Sequence, residues 1–175
     1  VVVRSLGWVL CRLPPSVCVW LGMALGTLGY WLQPKRARIG SLNLKAAFGD
    51  QVSPASAQRI VRGVFRQLGA GLIEMLRLPA MDAAYVDRYI QIEGREHMER
   101  AVTSGRPFVC LTGHFGNWEF LSITAALKGY PVTALARQQK DFPKLYALLV
   151  ASRESKGCRI VHKSGAMRQM LQALQ

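Results

Sequence analysis

Phe108-Val-Cys-Leu-Thr-Gly-His-Phe-Gly-Asn-Trp-Glu119 is the stretch whose reading decides the fold. Its first five residues, Phe108 to Thr112, form an apolar run between Gly105-Arg-Pro107 and Gly113. That is the pattern of a strand buried on both faces, and such strands are usually parallel. Asn117 stands where a helix N-cap belongs, and Trp118 to Leu127, with Phe120, Leu121, Ala125 and Leu127, reads as a helix. A strand, a glycine turn and a helix place His114 and Glu119 at the C-terminal end of a strand, where open α/β sheets bind ligands.

Outward from that stretch, short strands alternate with helices. Strands are expected at Arg88 to Ile92, Phe108 to Thr112, Pro131 to Ala136 and Arg159 to His162. Helices are expected at Arg95 to Thr103, Trp118 to Lys128 and Pro143 to Ser155, the crossovers of a mostly parallel α/β sheet flanked by helices. Towards the N-terminus, Ser53-Pro54 supplies a cap and a first-turn proline for a helix to Leu78. Before it, Val17 to Leu32 carries no charge and ends at Pro34 and the basic Lys35-Arg-Ala-Arg38. Trp8, Trp20, Tyr30 and Trp31 lie near the ends of the apolar pieces, as interfacial anchors do, so this region is expected to be membrane-associated. Spanning and interfacial placements both stay open, because a straight span wants about 20 apolar residues. Gly22 and Gly26, four apart, permit another helix to approach closely. The expected organisation is a membrane-associating helical region over 1–50 and an incomplete α/β domain over 51–175. A chain that starts at Val1 and runs from Met167 to Leu174 in helical pattern without a stop signal reads as a fragment.

Composition narrows the function. With 23 Lys and Arg against 10 Asp and Glu, the chain carries +13 and favours an anionic partner. It shows no zinc-finger, RNP or basic-aromatic stacking pattern, which argues against nucleic acid. Cys11, Cys18, Cys110 and Cys158 have no C-x-x-C spacing, so neither a disulfide framework nor a metal centre is indicated. Cys110, inside the apolar run, reads as a buried structural thiol more than as a nucleophile. His97 and His162 have no carboxylate context and read as structural or surface residues.

A histidine and a carboxylate five apart would not meet on one continuous helix. Gly113 and Gly116 allow the chain to turn between them, bringing His114 back over the helix start where Glu119 lies. Imidazole exchanges protons near neutral pH, and a carboxylate on its other nitrogen fixes the tautomer and stabilises the imidazolium. This is a base and its orienter without a protein nucleophile, an arrangement suited to attack by a substrate hydroxyl on an activated acyl group. The amides around Phe115 to Asn117, at a helix start, suit a polarised carbonyl or a phosphate.

Gly113-His-Phe-Gly-Asn-Trp-Glu119 resembles the H-x4-E block of the bacterial lipid A biosynthesis (late) acyltransferases, within the lysophospholipid acyltransferase superfamily. Asn43-Leu-x-x-Ala-Phe48, Gly94-x-Glu-x-x-x-x-Ala101, Arg137 and Arg153-x-x-x-Gly157 are similar to further blocks of that family, in its order. The resemblance implies a glycerolipid-acyltransferase-like fold and a location at the cytoplasmic face of the bacterial inner membrane. It implies transfer of a fatty acyl chain from acyl carrier protein to a hydroxyl of a phosphorylated glycolipid, the lipid A precursor, with no cofactor. His114 would be the general base and Glu119 its partner; Gly116, Asn117, Arg137 and Arg153 would border the substrate, where arginine suits phosphate through its planar fork. Gln138 follows Arg137 where the family often has proline, and the family's C-terminal half with its acidic motif is absent, so the chain alone is expected to be inactive. Rival readings are acylation of another glycolipid, such as a mannosylated phosphoinositide, acylation of a lysophospholipid, or a non-enzymatic basic membrane-binding module.

Overall fold

The computed structural model describes residues 2–138, 141, 143–162 and 165–174. The chain divides into two compact units, Val1–Pro79 and Ala80–Gln175. The sequence reading draws its line near residue 50; the contacts group the long helix after Ser53 with the N-terminal helices instead.

The first unit is helical: α1 (Val2–Leu10), α2 (Pro15–Leu32), α3 (Pro34–Phe48) and α4 (Pro54–Leu76). Prolines punctuate it. Pro15, Pro34 and Pro54 each sit in a first helical turn, where the missing N–H costs nothing. Ser53 caps α4 as its position predicts, its hydroxyl accepting from the Ser56 N–H at 3.2 Å. The helix stops at Leu76, two residues before the expected end.

Glycines hold α2 against α4. A methyl group on Gly22 would come within 2.5 Å of the Ala70 Cα, and one on Gly26 would run into the Phe65 carbonyl. Gly69 presents the reciprocal surface to Gly22 and Gly26, so the two backbones touch with no side chain between them. Leu10, Cys18 and Ile73 close a small core beside this crossing, with Leu13 and Leu76 packed on it. By length and composition α2 suffices to cross a membrane, and 17% of it is buried.

The second unit contains α5 (Ala83–Tyr89), α6 (Arg95–Thr103), α7 (Glu119–Leu127), β1 (Val132–Ala136), α8 (Pro143–Glu154), β2 (Cys158–His162) and α9 (Ala166–Ala173). β1 and β2 pair in parallel, Val132 opposite Cys158 and Ala136 opposite His162, with α8 as the crossover. α7 and α9 pack on these strands, and Ile123 and Val161 are fully buried.

The expected mostly parallel sheet is therefore reduced, among the described residues, to two strands in a largely helical chain. Two expected strands are absent. Arg88 to Ile92 loses its first half to α5, because the Asp82 carboxylate caps that helix by accepting from the Tyr85 N–H at 2.7 Å, and Tyr85 then stacks on Tyr89 one turn on. Phe108 to Thr112 joins no ladder, and Val109, Leu111 and Cys110 are exposed. The expectation of a buried Cys110 is corrected with it. An apolar run states how a segment packs once it has neighbours; a strand exists only when another backbone supplies the hydrogen bonds.

Candidate active site

α7 begins at Glu119, with Trp118 in the cap position and no side-chain cap hydrogen bond. Asn117 is thus not the N-cap; its carbonyl accepts from the Phe120 N–H at 3.1 Å, one turn into the helix start. Gly116 has φ 51°, in the left-handed region, and this is the residue that lets the chain turn from the 108–115 segment into the helix. At Gly113 a methyl group would meet the Phe115 ring at 2.5 Å, so the loop is packed tightly on its own aromatic side chain.

Glu119 is 8% exposed. Its Oε2 accepts two hydrogen bonds from Arg153, from Nε at 2.8 Å and from a terminal guanidinium nitrogen. The carboxylate sits in the first turn of α7 and the guanidinium in the last turn of α8, each at the helix end whose partial charge favours it. Arg153 thereby ties the crossover helix to the start of α7.

His114 is exposed, and its ring lies against Trp118, centroids 4.7 Å apart. The structure brings Glu119 to Arg153 and His114 to Trp118; the hydrogen bonds and ion pairs among the described residues do not join His114 to Glu119. Arg137 is exposed, one residue beyond the end of β1. By the strand register it follows the residue paired with His162, whose Nδ1 lies 3.1 Å from the hydroxyl of buried Tyr146.

A cavity of about 450 Å³ lies beside the loop, lined by Ile90, Met98, Thr112, Phe115, Trp118 and Thr124 among others. Its lining is mainly apolar. The Thr124 hydroxyl is buried with no hydrogen-bond partner among the described residues. On the rim, Arg95 is held more firmly protonated by a hydrogen bond with Tyr130 and by Glu99. Trp118, Thr124 and Tyr146 are the residues that the sequence reading missed. Trp118 was visible only as a helix residue, and Thr124 and Tyr146 had no motif to mark them.

Beneath α7, the Cys158 thiol is pushed above its ordinary pKa by burial, and it donates to the Ser122 carbonyl at 3.4 Å.

With this geometry in view, the family model for the bacterial lipid A biosynthesis acyltransferases matches residues 2–175. The chain belongs to that family. Among its relatives, the phosphatidylinositol mannoside acyltransferase of Mycolicibacterium smegmatis is 26% identical over 171 residues, covering 96% of this chain and 54% of that protein. The lipid A biosynthesis palmitoleoyltransferase of Escherichia coli and the lipid A biosynthesis acyltransferase of Shigella flexneri are each 26% identical over 112 residues, 64% of this chain and 36% of theirs. The chain thus spans about half the length of the first of these acyltransferases and less of the other two.

Proposed function

We propose that this chain carries the histidine and glutamate half of an acyltransferase site. The reaction moves a fatty acyl group from acyl carrier protein to a hydroxyl of a lipid A precursor at the cytoplasmic face of the bacterial inner membrane. The observation that carries this reading is Glu119, a carboxylate buried at the first residue of α7, five positions after His114, in a chain of the lipid A acyltransferase family.

In this mechanism His114 removes the proton from the acceptor hydroxyl as its oxygen attacks the thioester carbonyl. The carbon–sulfur bond then breaks, and the imidazolium returns the proton to the departing thiolate. A carboxylate has two oxygens, so Arg153 can hold Oε2 while Oε1 orients the imidazole. That step requires the 113–118 loop to swing His114 off Trp118, and Gly116, in the left-handed region, gives the loop its turning point. Backbone amides at the start of α7 receive the developing oxyanion, and the apolar cavity takes the acyl chain. Arg137 meets the acceptor phosphate; Arg153 acts chiefly through Glu119.

A second acceptor has a specific observation behind it. The likeness to the phosphatidylinositol mannoside acyltransferase covers 96% of the chain, against 64% for the palmitoleoyltransferase. The test is transfer of radiolabelled acyl groups from acyl carrier protein to a lipid A precursor and to a phosphatidylinositol mannoside by the complete gene product. His114→Ala and Glu119→Ala are each expected to lower the rate at least about a hundredfold, the scale of lost general-base catalysis. Unchanged rates in both variants would sink the mechanism, and selective use of the mannoside would replace the acceptor.

A further inference from the structure

At 18 residues α2 is about 27 Å long, close to the roughly 30 Å of a bilayer's hydrocarbon core, so length alone permits a span. Its partner helix decides otherwise. Gly22 faces Ala70 and Gly26 faces Phe65 and Arg66, so α4 runs antiparallel to α2 in backbone contact, and any path α2 takes through lipid α4 must share. The Arg66 guanidinium donates to the Met23 thioether at 3.4 Å, and Met23 is the ninth residue of α2. Arg59 and Arg62 share Arg66's side of α4 by their spacing of three and four. A span would place Arg66 at the centre of the hydrocarbon with a thioether as its described hydrogen-bond partner. A guanidinium there is too far from either interface to snorkel out as one near a helix end does.

The other side of the helix pair has the opposite character. Ile60, Val64, Leu68 and Leu72 recur at four-residue intervals along α4, each between 40% and 60% exposed. On α2, Met23 lies to one side of the Gly22–Gly26 contact line and Leu25, Leu28 and Leu32 to the other, at about 100° per residue. Because Arg66 marks the Met23 side, these exposed leucines fall on the side of the α4 stripe. The pair therefore has one apolar face and one basic face. In the whole unit ten lysines and arginines stand against only Asp50 and Glu74.

We infer that the N-terminal unit docks in the plane of an anionic bilayer, with the α2 and α4 stripes sunk into one leaflet and neither helix crossing it. This rests on the membrane part of the proposed function and specifies its geometry. Apolar burial supplies the depth, and the basic residues supply attraction to acidic headgroups. Trp20 and Trp31, both exposed on α2, suit the headgroup level.

The test is flotation of the protein, added from outside, with vesicles of phosphatidylcholine alone or mixed with phosphatidylglycerol. Ser16→Cys and Gln33→Cys mark the two ends of α2, and a membrane-impermeant maleimide is applied to the floated protein, with modified positions read by peptide mass. The expected result is flotation favoured by phosphatidylglycerol, modification of both ends, and partitioning lowered at least about tenfold by Leu68→Asp with Leu72→Asp, two exposed positions whose fold is checked by circular dichroism. Protection of one end overturns the in-plane placement alone. A lipid-free dimer that hides the stripe, or partitioning unmoved by the aspartates, also overturns it. Absence of flotation on either vesicle overturns the membrane part of the proposed function as well.

Discussion

Replacing Arg153 by methionine removes the guanidinium and keeps most of the side-chain volume, so its effect isolates the charge. In the folded protein the Arg153 and Glu119 side chains are 12% and 10% exposed, and both described donors converge on one carboxylate oxygen. Without Arg153 the Glu119 carboxylate stays out of water with its countercharge gone, which costs about 3–5 kcal/mol for a buried pair broken on one side. With a urea m-value of roughly 2 kcal/mol/M, the unfolding midpoint falls by about 1.5–2.5 M. The double variant Glu119→Met with Arg153→Met leaves no orphan charge and is expected to stay within about 1 kcal/mol of the parent, because an apolar pair of similar volume is often as stable as a buried ion pair. Urea unfolding followed by circular dichroism measures the parent, the two single variants Arg153→Met and Glu119→Met, and the double variant, and the cycle gives the coupling. A cost for Arg153→Met below about 1 kcal/mol, the range of exposed ion pairs, would refute the reasoning, as would strict additivity in the double variant.

Three further outcomes follow from other parts of the chain. Gly26→Leu forces α2 off the Phe65 carbonyl and is expected to destabilise the N-terminal unit by roughly 3 kcal/mol or more, while Gly63→Ala, where a methyl group meets nothing within 4 Å, stabilises α4 slightly; thermal melts compare them. Exposed Cys110 is expected to take iodoacetamide in the native protein, while Cys158 reacts only on unfolding. Because burial raises the Cys158 pKa above the unfolded value, its contribution to stability is complete below the ordinary value of 9.0 and declines as pH rises from there towards the folded pKa. Cys158→Ala should flatten that alkaline decline, and an unchanged slope would remove the thiol as its cause.

How much was legible follows from where each signal resides. The caps and prolines that start α4 are local chemistry: Ser53 and Pro54 act within one turn, so a reading of neighbours finds them. Strands β1 and β2 and helices α6 to α8 were placed within a residue or two, since each is short and bounded by glycine, proline or a polar cluster. Phe108 to Thr112 went wrong for the converse reason: its residues suit a strand, but no local feature says whether another strand will be beside it. The capping carboxylate of Asp82 was readable in principle and was outweighed by the apolar residues after it.

The opening stretch divides the same way. Sequence by itself determined that a glycine turn delivers His114 and Glu119 into a helix start, and the blocks around them pointed to the family whose model matches residues 2–175. Those are statements about residue types at fixed spacings, which backbone geometry converts into local structure. Only the tertiary structure decided that Glu119 is held by Arg153, 34 positions away, that His114 rests on Trp118, and that Gly22 and Gly26 meet Gly69 and Ala70 in α4. Such pairings depend on which distant surfaces come together as side chains leave water, and no window of neighbouring residues contains that information.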